Sequence, residues 1–109
     1  MPTVYKVLGQ AKPSAATLTS LYTVPASTSA VISTIVACNT TSSAEEIRIA
    51  VRPAGEAIAD KHYIVHTVGV PAFANYTYTL GITLATTDVL SVYALSGHIS
   101  FNVYGTEIS

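Results

Sequence analysis

Three histidines and the acidic residues around them are the side chains of this chain that could do chemistry. His62 and His66 are four residues apart, a spacing that brings two metal ligands together on a helix but separates them by about 13 Å on a strand. The surrounding residues alternate as a strand does, so the two rings cannot share one zinc ion at bond lengths of about 2 Å. We therefore predict that both face outward near a sheet edge and that the chain binds no metal.

Patterns for covalent or acid–base catalysis are also missing. The chain has no Gly-x-Ser-x-Gly elbow, and serines, histidines, Asp60 and Asp88 are no closer in sequence than chance allows. Glu45 and Glu46 are adjacent, so on a strand they point to opposite sides and cannot flank one glycosidic bond. No glycine-rich loop opens a helix to cradle a phosphate. We predict that the protein is not an enzyme and needs no cofactor.

The composition favours a protein that contacts other proteins. The 109 residues fit one domain. They are 50% apolar and only 10% charged, whereas a soluble domain is about one quarter charged. Such a chain either covers itself with a neutral, Thr-rich surface or buries part of its outside against neighbours, because large apolar patches usually mark contacts. The second interpretation is favoured.

Charge and hydropathy argue against nucleic-acid and membrane partners. The net charge is −1 and the five Lys and Arg residues are scattered, whereas nucleic-acid binding needs a basic patch. No apolar run approaches the roughly 20 residues that span a bilayer, and the start lacks the apolar core of a signal peptide. We expect the protein to be made and used in the cytoplasm, or assembled there into something larger.

Eight short runs of β-branched, aromatic and apolar residues, separated by turn-forming clusters, predict an all-β protein. The predicted strands are Thr3–Leu8, Thr17–Val24, Ala30–Cys38, Glu46–Arg52, Tyr63–Val70, Asn75–Leu80, Val89–Leu95 and Ile99–Tyr104. Gly81 breaks the sixth, which Ile82–Leu84 continues past a bulge. We place the apolar run Ala30–Cys38 at the centre of a sheet, with its single cysteine as a small buried residue at the strand end.

This spacing of strands predicts a single-domain antiparallel β-sandwich, either a jelly roll or an immunoglobulin-like Greek key. Residues 1–15 are predicted to be an N-terminal arm or edge strand followed by a linker from Gly9 to Ala15, and residues 16–109 the sandwich itself. Ser42 and Glu45 resemble a helix capping box. Ser96 and Gly97 are predicted to form a tight hairpin between the last two strands.

The seven tyrosines are the best candidates for contact residues, because tyrosine is enriched at protein interfaces. Tyr76 and Tyr78 share one strand face, and Tyr63 is predicted on a neighbouring strand. The N-terminal arm adds four further candidates. The predicted interface residues are Val4, Tyr5, Val7, Leu8, Tyr63, Tyr76 and Tyr78.

Several segments resemble a family of small virion proteins of tailed bacteriophages. They are Leu21–Ser29 leading into Ile35–Asn39, then Arg52–Tyr63, Ile82–Tyr93 and Ile99–Ile108, together about three quarters of the chain. Each is a packing and turn pattern rather than a site, and the family brings no catalytic residues. Similar domains occur in capsid decoration proteins and in tail or fibre components.

The resemblance implies a β-sandwich that assembles with its own copies and with other virion proteins. We expect a capsid decoration, or cement, protein that binds the major capsid protein and stabilises the head shell, with a trimer favoured at local threefold positions. The arm from Pro2 to Ala15 is expected to reach a neighbour by adding a strand to its sheet. The alternative is a tail, fibre or neck-associated protein involved in host adsorption.

Overall fold

Nine β-strands account for most of the chain in a computed structural model that describes residues 3–109. Two short 3₁₀ turns, Pro53–Gly55 and Asp60–His62, lie in the connection between β4 and β5. The strands are β1 (Thr3–Ala11), β2 (Thr19–Thr23), β3 (Ser29–Asn39), β4 (Glu45–Arg52), β5 (Tyr63–Val70), β6 (Asn75–Tyr78), β7 (Ile82–Leu84), β8 (Val89–Ala94) and β9 (Ile99–Ile108).

The strands form two antiparallel sheets that pack face to face. In the first sheet the order is β1-β9-β3, and both β6 and β7 pair with the far edge of β3. In the second sheet the order is β2-β8-β4-β5. The predicted all-β sandwich is therefore confirmed.

The strand order is that of a jelly roll. β6 and β7 behave as one strand broken near Gly81, whose φ is +64°, because they pair with β3 one after the other. Counted so, the two sheets read 1-8-3-6 and 2-7-4-5, with most connections crossing between sheets as in double-sheet jelly rolls. An immunoglobulin-type sandwich would instead place its first two strands in the same sheet.

Alternating apolar residues build the core between the sheets. Ile47 and Ile49 of β4 and Phe101 and Val103 of β9 are completely buried, as their period of two predicts. Each such side chain contributes about 1.5–3 kcal/mol through removal from water. Along β3 one face is buried and the other partly exposed, so β3 is central, as predicted, but covered on one side only.

The N-terminal residues belong to the first sheet. Gly9 to Ala11, predicted as a linker, continue β1 and pair with Val103 to Phe101 of β9. Gly9 sits at a bulge where a Cβ atom would collide with the backbone carbonyl of Leu21. The arm predicted from residue 2 onward is thus a strand from Thr3 to Ala11; residues 1 and 2 lie outside the described part of the chain.

The turn at Ser96 and Gly97 is not a β-hairpin. It joins β8, which pairs with β2 and β4, to β9, which pairs with β1 and β3. Gly97 has a φ of +76°, and a Cβ there would contact the backbone of Ala15 at 2.8 Å. The dipeptide signals a tight turn correctly, but pairing of the flanking strands is decided by the sandwich.

Candidate functional site

The outward face of the first sheet is free of charge. Its outward positions alternate with the buried ones along each paired strand. Among the described residues at these positions there is no Lys, Arg, His, Asp or Glu. We call this surface the neutral face; it consists of Thr3, Tyr5, Val7, Gln10, Ser29, Val31, Thr34, Val36, Cys38, Asn75, Thr77, Thr83, Ser100, Asn102, Tyr104, Thr106 and Ile108.

Large apolar side chains cluster on the part of the neutral face nearest β1. Tyr5 is 81% exposed and Val7 49%, and Tyr104 and Val31 are 38% and 37% exposed. Val7 lies directly opposite Tyr104, and Thr106 lies between Tyr5 and Val31 in register. Because directly opposite residues in a sheet have Cβ atoms about 4.5–5.5 Å apart, these side chains form one continuous patch across three strands.

The outward face of the second sheet is different, because it carries charged side chains. Glu46 is exposed there. The guanidinium of Arg48 lies 4.6 Å from the centre of the Tyr93 ring, and Nε of Arg52 donates to the Ser91 hydroxyl at 3.1 Å. The few charges of the chain are thus kept off one face of the sandwich. An uncharged face with exposed apolar side chains is the surface to expect at a protein contact.

Four of the predicted interface residues lie on β1. Val4, Tyr5 and Val7 are exposed, whereas Leu8 is half-buried and packs against the core. Tyr5 and Val7 belong to the neutral face. Val4 lies on the opposite side of the strand, in register with Glu107.

The three predicted tyrosines are not brought together. Tyr76 and Tyr78 share a strand face as predicted, but that face is the inward one, opposite Ala37 and Ile35. Tyr78 packs against the core with no partner for its hydroxyl, and this burial raises its pKa. Tyr63 lies in the other sheet, so its predicted place on a strand neighbouring β6 is wrong.

A polar cluster that was not predicted from the sequence links β1 to β9 and β2. Nζ of Lys6 lies 2.8 Å from Oε1 of Glu107 on β9, and the hydroxyl of Tyr22 on β2 donates to Oε2 at 2.6 Å. The hydrogen bonds from Lys6 and Tyr22 lower the pKa of Glu107, and burial together with Glu107 raises that of Tyr22. These three residues are 16 to 101 positions apart in sequence, so no local sequence pattern predicts that they are in contact.

The histidines occupy different environments. His62 is buried rather than outward-facing, because its Nδ1 accepts from the backbone N–H of Ala59 at 3.0 Å and its Nε2 is 3.1 Å from Oε1 of Glu56. His66 and His98 are exposed. Within residues 3–109 no three His, Cys, Asp or Glu side chains are grouped so as to hold a metal ion.

Acidic side chains organise the loops at the two ends of the sandwich. Glu45 caps no helix; its buried carboxylate accepts from the backbone N–H groups of Ser96 at 2.5 Å and His98 at 3.1 Å. Asp88 accepts from the backbone N–H groups of Ala54 and Ala85 at 2.9 and 2.8 Å. Both carboxylates are therefore occupied in holding turns.

Comparison with known proteins adds no relative. The chain matches no protein-family model, and a search of curated proteins finds no match. In the part of the chain that the structure describes, no helix is long and apolar enough to cross a membrane.

Proposed function

We propose that this protein is a structural component of a tailed-bacteriophage virion, a capsid decoration protein that binds and stabilises the head shell as an oligomer. The observation that carries the proposal is the neutral face, with its patch of Tyr5, Val7, Tyr104 and Val31. The sequence resemblance to small phage virion proteins supplies the biological setting. Jelly rolls are common in viral capsid domains, which agrees with that setting without deciding it.

The dimensions of the neutral face suit a protein partner. Four strands at about 4.8 Å spacing, the two longest with ten and eleven residues at about 3.3 Å each, give roughly 600–700 Å². A standard specific interface covers about 800 Å² per partner. Because no described outward side chain of this face carries a charge, a partner can cover it without the cost of burying unpaired ions.

Three ionisable side chains, those of His62, Glu45 and Asp88, support a structural role over a catalytic one. His62 is engaged at both ring nitrogens. Glu45 and Asp88 are engaged by backbone N–H groups. Groups held in this way stabilise loops, whereas a general acid or base has to reach a substrate proton.

The location of the protein on the parent particle tests the proposal directly. Antibody labelling viewed by electron microscopy should cover the whole head, and quantitative mass spectrometry should find the protein in hundreds of copies per particle. Labelling restricted to the tail, or absence of the protein from purified particles, would contradict a decoration role.

A pair of matched substitutions tests the neutral face. Tyr104→Lys places a charge at a 38% exposed position of the neutral face, and Ile64→Lys places one at a 42% exposed position of β5 in the second sheet. We expect the first to weaken binding to undecorated heads at least tenfold, because a lysine must be desolvated in the contact, and the second to bind normally. Equal binding by both variants, with unchanged folding, would exclude this face as the docking surface.

The second candidate function, host adsorption from the tail, fibre or neck, is favoured by one loop. Phe73 is 73% exposed in the β5–β6 connection and has a φ of +53°, a strained conformation for an aromatic residue. Its backbone N–H donates to the carbonyl of Thr41 at 3.0 Å, which fixes the loop. If adsorption is the function, Phe73→Ala should slow attachment to host cells while Tyr104→Lys leaves it unchanged.

A further inference from the structure

We infer that two copies of this chain pair antiparallel through the outer edges of their β1 strands, with Tyr5 on the twofold axis. This concerns self-association, which goes beyond docking on a shell and can be tested without one. The inference rests on the state of the sheet edges, on the exposure of β1 and on its charge.

The outer edges of the two sheets are unequal. β2 is five residues long with a register shift between Ser20 and Tyr22, and β5 has two register shifts and a positive φ at Thr67. β6 and β7 have four and three residues and are separated by the break near Gly81. Short or bulged edges of this kind resist pairing with other chains.

β1 lacks these protections over its first half. Thr3 to Val7 pair with β9 in an unbroken register of five residues, and the first shift comes only after Val7. It is the longest regular run on any described edge. Alternate N–H and C=O groups of an edge strand point away from its sheet, so this run is a template for another strand.

Both sides of this run are exposed to solvent. Val4 on the inward side is 48% exposed, and Tyr5 and Val7 on the outward side are 81% and 49% exposed. A strand whose two sides both carry exposed apolar residues extends past its own core. A second strand alongside would cover part of each of these side chains, as cross-strand neighbours do.

The charge on β1 does not oppose self-pairing. A lysine on an edge strand normally protects it, but Lys6 already lies 2.8 Å from Glu107 of the same chain. With Tyr5 on the axis, Val4 faces Lys6 of the second copy and Thr3 faces Val7. The two lysines are then not directly opposite, and two tyrosine rings meet at the centre, where aromatic pairs are favourable.

The contact is expected to be weak. Five paired residues per copy, with Tyr5 81% exposed and two valines about half exposed, cover at most on the order of 1,000 Å² in total, which is the lower limit for a specific interface. Dimerisation therefore has to be measured over a series of concentrations. A symmetric contact between identical edges closes on itself at two copies, which distinguishes it from the trimer expected from the sequence.

Substitution of Tyr5 by residues of opposite charge tests the inference. Sedimentation equilibrium of the full chain from about 1 μM to 1 mM should show a monomer–dimer equilibrium. Tyr5→Lys and Tyr5→Glu should each weaken it at least tenfold, because like charges would face each other across the axis. An equimolar mixture of the two variants should restore the dimer, and Tyr5→Phe should retain it. Thermal unfolding of each variant checks that β1 remains folded.

The outcomes are distinct. Loss of the dimer in both charged variants and its recovery in the mixture would establish the pairing. A monomer at all concentrations, a trimer, or a dimer that is insensitive to Tyr5→Lys would overturn it. Shell binding by Tyr104→Lys is measured separately, so failure of the docking proposal leaves this result unchanged.

Discussion

Lys6, near the start of the first strand, forms a 2.8 Å ion pair with Glu107, near the end of the last strand. The same carboxylate accepts a hydrogen bond from Tyr22 in the opposite sheet. One acidic side chain thus connects β1, β9 and β2, and closes the edge of the sandwich on which the proposed self-association depends. The contribution of this cluster to the stability of the fold can be measured.

The cluster predicts a stability difference that depends on pH. Lys6 and then Tyr22 lower the pKa of Glu107 in the folded chain. A carboxyl with a lowered folded pKa stabilises the fold above its unfolded pKa, about 4.3, and loses that effect as the pH falls through the folded pKa. Glu107→Gln should therefore melt at a lower temperature than the wild type at pH 7, and the gap should close below pH of about 4. Thermal unfolding of both proteins from pH 3 to 7 measures it; a gap that widens in acid would contradict the prediction.

Removal of the hydroxyl group from Tyr22 and from Tyr78 should have different effects on the free energy of unfolding. Tyr22 donates to Glu107 at 2.6 Å, whereas the buried hydroxyl of Tyr78 has no partner. Tyr22→Phe should lower the free energy of unfolding by about 1–2 kcal/mol. Tyr78→Phe should leave it unchanged or raise it by up to about 1 kcal/mol, because an unsatisfied group is removed. Urea denaturation of the two variants compares them, and equal losses would show that the hydrogen bond to Glu107 contributes nothing.

Two glycines are required by backbone contacts. A Cβ at Gly105 would collide with the carbonyl of Val31, and one at Gly9 with the carbonyl of Leu21. Gly69 has nothing within 4 Å of the corresponding position. Alanine at Gly9 or Gly105 should destabilise the protein by about 1–3 kcal/mol or more, because backbone has to move. Gly69→Ala is the control and should lie within about 1 kcal/mol of wild type; a comparable loss there would argue against the steric explanation.

Replacement of Glu45 by glutamine should destabilise the protein far more than the same replacement at the adjacent Glu46. Glu45 is buried and accepts from the N–H groups of Ser96 and His98, whereas Glu46 is exposed. Glu45→Gln places an amide against those donors, and we expect a loss of about 2 kcal/mol together with faster amide exchange at Ser96 and His98. Glu46→Gln should change stability by less than about 0.5 kcal/mol. Hydrogen exchange followed by NMR separates the two, and equal exchange in both variants would refute the capping role of Glu45.

The local sequence pattern was sufficient to predict a strand and its buried side chains where the strand buries one side. Ile47 and Ile49 alternate with Glu46 and Arg48, and the structure buries the first pair and turns the second outward. The break at Gly81 was predictable for a similar reason, because it interrupts an alternating run. It divides one predicted strand into β6 and β7 and accounts for nine strands where eight were predicted.

Properties that depend on distant partners were not predictable. Strand alternation, when extended to His62, predicts an outward-facing ring, but His62 belongs to a 3₁₀ turn that its own ring stabilises by accepting a hydrogen bond from Ala59. Gly9 to Ala11 look like a linker in sequence, yet β9 provides a pairing edge. The neutral face likewise emerges only when outward positions of distant strands are combined. The predicted interface set includes Tyr5 and Val7 of that patch but not Tyr104 or Val31.

The interruption between β6 and β7 would limit growth of the proposed β1-paired dimer into a larger assembly. A sheet joined through β1 ends on both sides at strands of four and three residues, which offer no comparable run for a third molecule. Stacking of further subunits into a fibril is thereby discouraged. If the proposed pairing through β1 occurs, the break at Gly81 leaves each molecule with one long regular sheet edge and keeps the opposite edge of the same sheet short.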